Sequence, residues 1–355
     1  MLFVGRTRYR LPLTPSVAQK FDALAAELDV RVLGSAVPGS PTHDAMFTLV
    51  PPFRVRALDG IAFWVLLPTR VARLLRTVRP DAVVCQTAYE GAAAIAARRI
   101  ARVPARVIVE VHGDWRTSTR LYGSPVRRVL SGVADALAAL ALRHADAVRT
   151  VSPFTAGLVR QLGVEPAADF PAYMDLEPFT REPVPLPERP AALFVGVLEA
   201  YKNIDGLADA WRRAAPRVPG ASLRIVGKGS REATVEALGV RWERELPAED
   251  VARALDDAWV LVLPSRSEGM GRVLVEAFCR GRGVIGSRAG SIPNLVEDGV
   301  SGILVDSNEE LAEALVRVLS DRALADRLGE GAREAAAPWL QTPAEYARRV
   351  AELVA

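Results

Sequence analysis

Along the 355-residue chain, short apolar runs rich in Val, Ile and Leu alternate with longer segments whose apolar positions recur every three or four residues. The short runs lack polar alternation, as expected of strands buried on both faces of a parallel sheet. The longer segments read as the amphipathic helices that cover those faces. In the first half, strands are predicted near Leu2 to Val4, Val30 to Leu33, Ala82 to Cys85, Arg106 to Val111 and Ala147 to Val151. Helices are predicted over Ser16 to Leu28, Ile61 to Val78, Glu90 to Ile100 and Ser124 to His144. A second series has strands at Ala192 to Gly196, Ser222 to Val226, Trp259 to Leu263, Gly283 to Ile285 and Ile303 to Val305. Each crossover is long enough for a right-handed βαβ unit, so the pattern predicts an α/β fold with parallel sheets.

Between the two series, residues 177–190 hold five prolines in fourteen residues, which excludes a helix or a central strand and reads as an interdomain linker. The length suits two domains of roughly 150 to 200 residues. We place a first domain at 1–180, a second at 181–337, and a terminal segment at 338–355, expected to be a helix crossing back to the first domain. Ligands of doubly wound sheets bind outside the carboxyl ends of strands. Both halves are therefore expected to present sites to one cleft and to close on a ligand.

One segment joins a strand, a glycine loop and a helix start. After Trp259 to Pro264 come Ser267-Glu268-Gly269-Met270-Gly271-Arg272 and then Val273, Leu274, Ala277 and Phe278 at helical spacing. A helix N-terminus offers unpaired N–H groups and the positive end of the macrodipole, a setting for phosphate, and Gly269 and Gly271 permit close approach. Eight helical residues rise roughly 12 Å. Glu268 and Glu276 are thus too far apart for a glycosidase pair, which needs about 5 to 9.5 Å. An elongated ligand with hydroxyls at both ends and phosphate between them fits, and a nucleotide sugar has that layout.

Charge and composition narrow the classes. Residues 1–180 carry 22 Lys+Arg against 15 Asp+Glu, and residues 181–355 carry 23 against 27. The basic first half should meet an acidic partner, an anionic lipid surface or a phosphorylated acceptor. Without interleaved aromatics, nucleic acid is excluded as the expected partner. Ile61 to Leu67 followed by Arg70, Arg73 and Arg76 fits either a basic amphipathic helix on a membrane or a core helix with a solvated face. Arg6 and Arg8 beside Tyr9 are candidates for the acceptor. Cys85 and Cys279 read as buried thiols, and no Cys/His spacing suggests a metal. Only three lysines occur, Lys20, Lys202 and Lys228. Gly227-Lys228-Gly229 lacks the third glycine of a dinucleotide fingerprint, because Glu232 stands there, so a structural turn is expected.

With that motif placed after a strand, the chain resembles family 4 of the retaining glycosyltransferases, which have the GT-B fold of two facing Rossmann-like domains. The resemblance includes Leu193 to Leu198 followed by Lys202, Leu223 to Gly229, Val262 to Gly269 and Asn294 to Val305. In the first half it includes Arg79 to Val84, Val111-His112-Gly113 and Ala145 to Ser152.

The resemblance implies an enzyme of cell-surface polysaccharide or glycolipid synthesis; the thiols read as reduced and the basic first half add the expectation of a cytoplasmic protein, peripheral on the inner face of the membrane. It would be a hexosyltransferase that moves sugar from a UDP- or GDP-sugar to a saccharide or lipid-linked acceptor, with the nucleotide sugar as co-substrate and no cofactor. Glu268 would contact donor-sugar hydroxyls and Glu276 the ribose. Gly269, Met270 and Gly271 would offer amides, and Lys202 would neutralise the departing pyrophosphate. His112 would face the sugar, Gly5 would sit in the loop after the first strand, close to the phosphates and acceptor, and Gly196 would belong to the donor site. Val197 departs from the family, which usually carries arginine there; Arg272 and Arg6 are candidates to replace that cation. The absence of an Asp-x-Asp run accords with a metal-independent reaction. The alternatives are a non-catalytic GT-B scaffold that binds sugar nucleotides, and an NAD-dependent Rossmann oxidoreductase, which the missing glycine fingerprint disfavours.

Overall fold

The computed structural model describes residues 1–53, 59–117, 131–182 and 184–355. The chain forms two compact units. One comprises residues 1–112, 132–173 and 341–355, and the other 113–131 and 174–340.

The first unit holds β1 (Leu2–Tyr9), α1 (Pro15–Glu27), β2 (Arg31–Ala36), β3 (Phe47–Val50), α2 (Asp59–Val78), β4 (Ala82–Cys85), α3 (Ala88–Ala101), β5 (Arg106–Val111), α4 (Ser131–His144), β6 (Ala147–Thr150), α5 (Pro153–Arg160) and β7 (Ala168–Asp169). Its sheet has the order β3-β2-β1-β4-β5-β6-β7, and the strands pair in parallel. Every residue of β4, and all but the first of β5, is buried, as continuous apolar runs require. β1 extends beyond the expected Val4, with a register break between Val4 and Arg8. β3 escapes sequence reading because four residues ending at Pro51-Pro52 make a weak edge-strand signal. The helix expected from Ser124 is described from Ser131; residues 124–130 lie outside the described ones.

The C-terminal helix, Pro343–Val354, belongs to this unit. Its apolar stripe of Tyr346, Ala347, Val350 and Leu353 joins the core built by Phe3, Phe21 and Leu24. A capping box starts it: Glu345 N donates to Thr342 Oγ1 (3.2 Å) and Thr342 N to Glu345 Oε2 (2.8 Å).

The second unit contains β8 (Ala191–Val195), α6 (Ile204–Ala214), β9 (Ser222–Val226), α7 (Glu232–Glu236), β10 (Arg241–Glu243), α8 (Ala248–Asp256), β11 (Val260–Leu263), α9 (Arg272–Cys279), β12 (Gly283–Ser287), α10 (Ile292–Leu295), β13 (Gly302–Val305), α11 (Asn308–Ser320) and α12 (Arg322–Ala336). The parallel sheet runs β10-β9-β8-β11-β12-β13. Strand order reverses at the β8/β11 pair, the position where open α/β sheets leave a crevice at their carboxyl ends.

The chain passes between units at 173/174, ahead of residue 180 where composition put the boundary. The described part of the proline-rich stretch is packed into the second unit, with Phe179 and Leu186 in its core. Prolines lack the N–H that a sheet ladder needs, but their neighbours' carbonyls remain acceptors. Buried Arg280 donates to Arg181 O (2.7 Å), Arg282 to Val184 O (3.0 Å), and Trp259 Nε1 to Pro187 O (2.8 Å). Cys85 and Cys279 are free and buried; burial pushes the Cys279 thiol up to about 11. Among the described residues no helix is long and apolar enough to cross a membrane.

Candidate functional site

In the second unit, β11 delivers the chain to a loop that ends at Gly271, and α9 begins at Arg272. Gly271 has φ +69°, and a Cβ there would stand 2.8 Å from Leu274 Cδ1, so this helix start requires glycine. The loop is held from the side by the turn after β12. Ser291 N donates to Glu268 O (2.9 Å), and Gly290, at φ +61°, passes so close that a Cβ would lie 2.4 Å from Glu268 N and O.

Glu268 Oε1 accepts from Lys202 Nζ and from Ser265 Oγ, the latter at 2.7 Å. Both side chains of the Lys202–Glu268 pair are 11% exposed. Lys202 closes the short turn Ala200–Lys202 before Asn203, whose left-handed φ of +56° leads into α6. Glu276 is buried on α9 and accepts from Arg272 Nε (2.7 Å) one helical turn earlier. Burial pushes the Glu276 carboxyl up, with Arg272 opposing. Each of the two motif carboxylates therefore has its own cation.

Gly196 follows β8 with its N–H on Val226 O (2.9 Å). Lys228 is engaged as a turn element: its carbonyl accepts from Leu198 N (3.0 Å) and its amine pairs with Glu245. Val197 is 40% exposed. Arg266 ties the Lys202 turn to the motif loop, with its N–H on Tyr201 O (2.7 Å) and its guanidinium on Asn203 Oδ1 (3.1 Å). Nothing in its local sequence marks this role, which arises only when two βα loops meet.

The expectation of a loop at Gly5 and Arg6 is corrected: β1 runs on to Tyr9, so both lie inside the strand, Gly5 over the side chain of Gln86, which leaves no room for a Cβ. Arg6 and Arg8 both reach Asp59 Oδ2, at 3.4 and 3.5 Å, while Asp59 Oδ1 accepts from Phe53 N (2.8 Å). Arg8, Asp59, Phe63 and Arg70 line one small cavity, and Arg70 Nη1 is buried without a partner. Two arginines thus share a single aspartate, and a third lines the cavity beside it. The expectation for Tyr9 is corrected: its ring packs edge-on against Phe21 and Phe47 in the core, because it falls on the buried side of β1. Glu90, expected only as a helix residue, is buried beside β1 and accepts from Arg6 N (3.2 Å); burial pushes its carboxyl up.

His112 follows the end of β5 and is 38% exposed. Its Nε2 lies 3.0 Å from Glu110 Oε2, and the other Glu110 oxygen accepts from Arg149. Neither partner stood out in the sequence, although a glutamate between Val109 and Val111 in a buried strand was a visible signal.

Residues 13–168 match the family model described as glycosyl transferase 4-like domain, and residues 177–335 the model described as glycosyl transferases group 1. D-inositol 3-phosphate glycosyltransferase of Corynebacterium diphtheriae is 32% identical over 160 residues, 41% of this chain and 38% of that protein. Alpha-D-kanosaminyltransferase of Streptomyces kanamyceticus is 30% identical over 162 residues, 43% and 42% of the two chains. The chain thus spans about two fifths of the length of these curated relatives. Among solved structures, sucrose-phosphate synthase from Thermosynechococcus elongatus superposes with a TM-score of 0.80 at 21% identity, covering 99% of this chain and 97% of that one. Anabaena HepE in complex with UDP-glucose gives 0.71 at 17% identity, covering 99% of each. These structural likenesses bear on the fold alone.

Proposed function

Since the chain belongs to family 4 of the glycosyltransferases and has their GT-B fold, we propose that it is a retaining transferase that uses a nucleotide diphosphate sugar. The observation that carries this reading is the β11–α9 loop, where Glu268 with Lys202 and Glu276 with Arg272 flank a helix start. In the proposed reaction the bond from the anomeric carbon to the phosphate oxygen breaks and the pyrophosphate keeps the electron pair. The acceptor oxygen bonds to that carbon and passes its proton to the departing phosphate oxygen. Lys202 and the helix-start amides offset the charge growing on the pyrophosphate, so we assign no metal to this step. Glu268 receives sugar hydroxyls, and Glu276 the ribose.

The first unit supplies His112 to the reaction and holds the acceptor, a saccharide or lipid-linked molecule. Arg8 and Arg70, with Asp59 as the carboxylate beside them, support an acceptor whose anionic group lies next to an apolar face formed by Phe63. A D-inositol 3-phosphate glycosyltransferase is, by its name, matched to a phosphorylated substrate, in keeping with that class. Val65 and Leu66 are exposed on α2 ahead of its arginines, which supports peripheral contact with an anionic membrane. Sedimentation with anionic vesicles tests this, and equal recovery in the supernatant with and without vesicles would contradict it.

A thermal-shift panel of UDP, GDP, ADP and their sugars tests the donor assignment. A ligand at a hundred times its Kd stabilises by about 2.7 kcal/mol, so one nucleotide family should raise the Tm by several degrees. No shift with any of them would refute it. Val197, where the family's arginine is missing, favours a second reading, a binding scaffold without turnover. Tight donor binding with no nucleoside diphosphate release would establish that one instead.

A further inference from the structure

We propose that the buried Glu110–Arg149 pair positions His112, fixing its Nε2 as a hydrogen-bond donor and leaving Nδ1 as the acceptor for a substrate hydroxyl. Glu110 and His112 are two residues apart and so project from the same face of the strand line. Glu110 lies in β5 among buried Val107, Ile108, Val109 and Val111. Arg149 is its in-register neighbour on β6. Stability alone does not account for such a pair, because well-packed apolar residues at both positions are commonly as stable or more so.

The pair does have a directional consequence. Arg149 is fully buried and is itself fixed by Phe170 O (3.1 Å), Pro171 O (2.8 Å) and the Phe170 ring 3.9 Å beneath the guanidinium. The Tyr346 ring of the C-terminal helix stands 5.6 Å from the same group. Arg149 occupies Glu110 Oε1 and leaves Oε2 to the imidazole. Burial alone would raise the Glu110 carboxyl, but Arg149 and His112 hold it well below the ordinary carboxylate range. An ionised carboxylate only accepts, so the imidazole nitrogen facing it must carry the proton. In the neutral ring the other nitrogen then has a free lone pair. A glutamine at 110 would remove this constraint, since its amide both donates and accepts.

This inference rests on the transferase reading only for the identity of the hydroxyl that Nδ1 receives. The chain has three histidines, His43, His112 and His144, so ring signals are assignable with a His112→Gln variant. The expected result is an imidazole N–H proton of His112, shifted downfield and protected from exchange, in the wild type. It should be lost in the double variant Glu110→Leu/Arg149→Met, which removes both charges together. Absence of that proton in the wild type overturns the proposal without reference to activity, even if the double variant fails to fold. In turnover, the double variant should lose about tenfold to a hundredfold in kcat through misplacement of the ring, with donor KM unchanged. In a His112→Ala background the same double replacement should make no further difference; an equal additional loss there would show a merely structural role and overturn the assignment.

Discussion

Replacing Lys202 with methionine removes the ammonium while retaining an unbranched stem. In the free protein Lys202 Nζ is held on Glu268 Oε1, with both side chains 11% exposed, so the cation is already in place before donor arrives. If it offsets charge on the departing pyrophosphate, its loss should resemble removal of one preorganised donor, about 2.7 to 4 kcal/mol, or about 10² to 10³ in kcat. A stability effect accompanies it and must be separated. Glu268 keeps only Ser265 Oγ at 2.7 Å. Stranding a buried charge costs about 3 to 5 kcal/mol, and the slight exposure and remaining hydrogen bond place this case at or below the lower end. Donor-dependent release of nucleoside diphosphate, measured where circular dichroism shows Lys202→Met folded, isolates the chemical effect. A folded Lys202→Met with kcat within about threefold of wild type would refute the role, since that corresponds to under roughly 1 kcal/mol of barrier.

Glu276→Gln should weaken donor binding about tenfold to a hundredfold by replacing a charged acceptor with a neutral one. Because burial raises the Glu276 carboxyl above its ordinary 4.5, wild-type donor affinity should fall as pH drops into the range just above that value; calorimetry showing the same pH slope in Glu276→Gln would contradict this. Glu110 has the opposite sign. Its folded value lies below 4.5, so its stabilisation is fully present above about pH 4.5 and is lost as pH falls through the depressed value. Glu110→Leu/Arg149→Met should therefore flatten the acid limb of the stability curve, and identical limbs by tryptophan fluorescence would rule this out. Tyr346→Ala should cost about 3 to 5 kcal/mol, as other buried aromatic deletions do, because the ring lies fully within the first unit's core; an unchanged Tm would mean that the C-terminal helix adds little to that core.

Strands such as β4 and β11 were legible because every position is apolar and buried. β3 and the three-residue β10 were not, since short edge strands carry little periodic signal. The proline-rich stretch had the composition of a linker, yet Arg280, Arg282 and Trp259 bind its carbonyls; those partners are 72 to 99 positions away in sequence and no local pattern reveals them. At the site, the strand, loop and helix start around Glu268 and Gly271 could be read from the residues themselves. That Lys202 meets Glu268 across 66 residues could not. Tyr9 misled because its neighbours Arg6 and Arg8 are basic, whereas its ring is buried by Phe21 and Phe47, which are distant in sequence. Glu110 was readable in principle: an acid inside a buried apolar strand demands a partner.

Lys202 and Glu268 are proposed to serve sugar transfer from a nucleotide donor. The most direct measurement is nucleoside diphosphate release from UDP-, GDP- and ADP-sugars by the purified chain, wild type beside Glu268→Ala. The wild type should release nucleoside diphosphate from one donor family, with a loss of about 10² or more in the variant. Equal release by both proteins, or donor binding without any release, would contradict it.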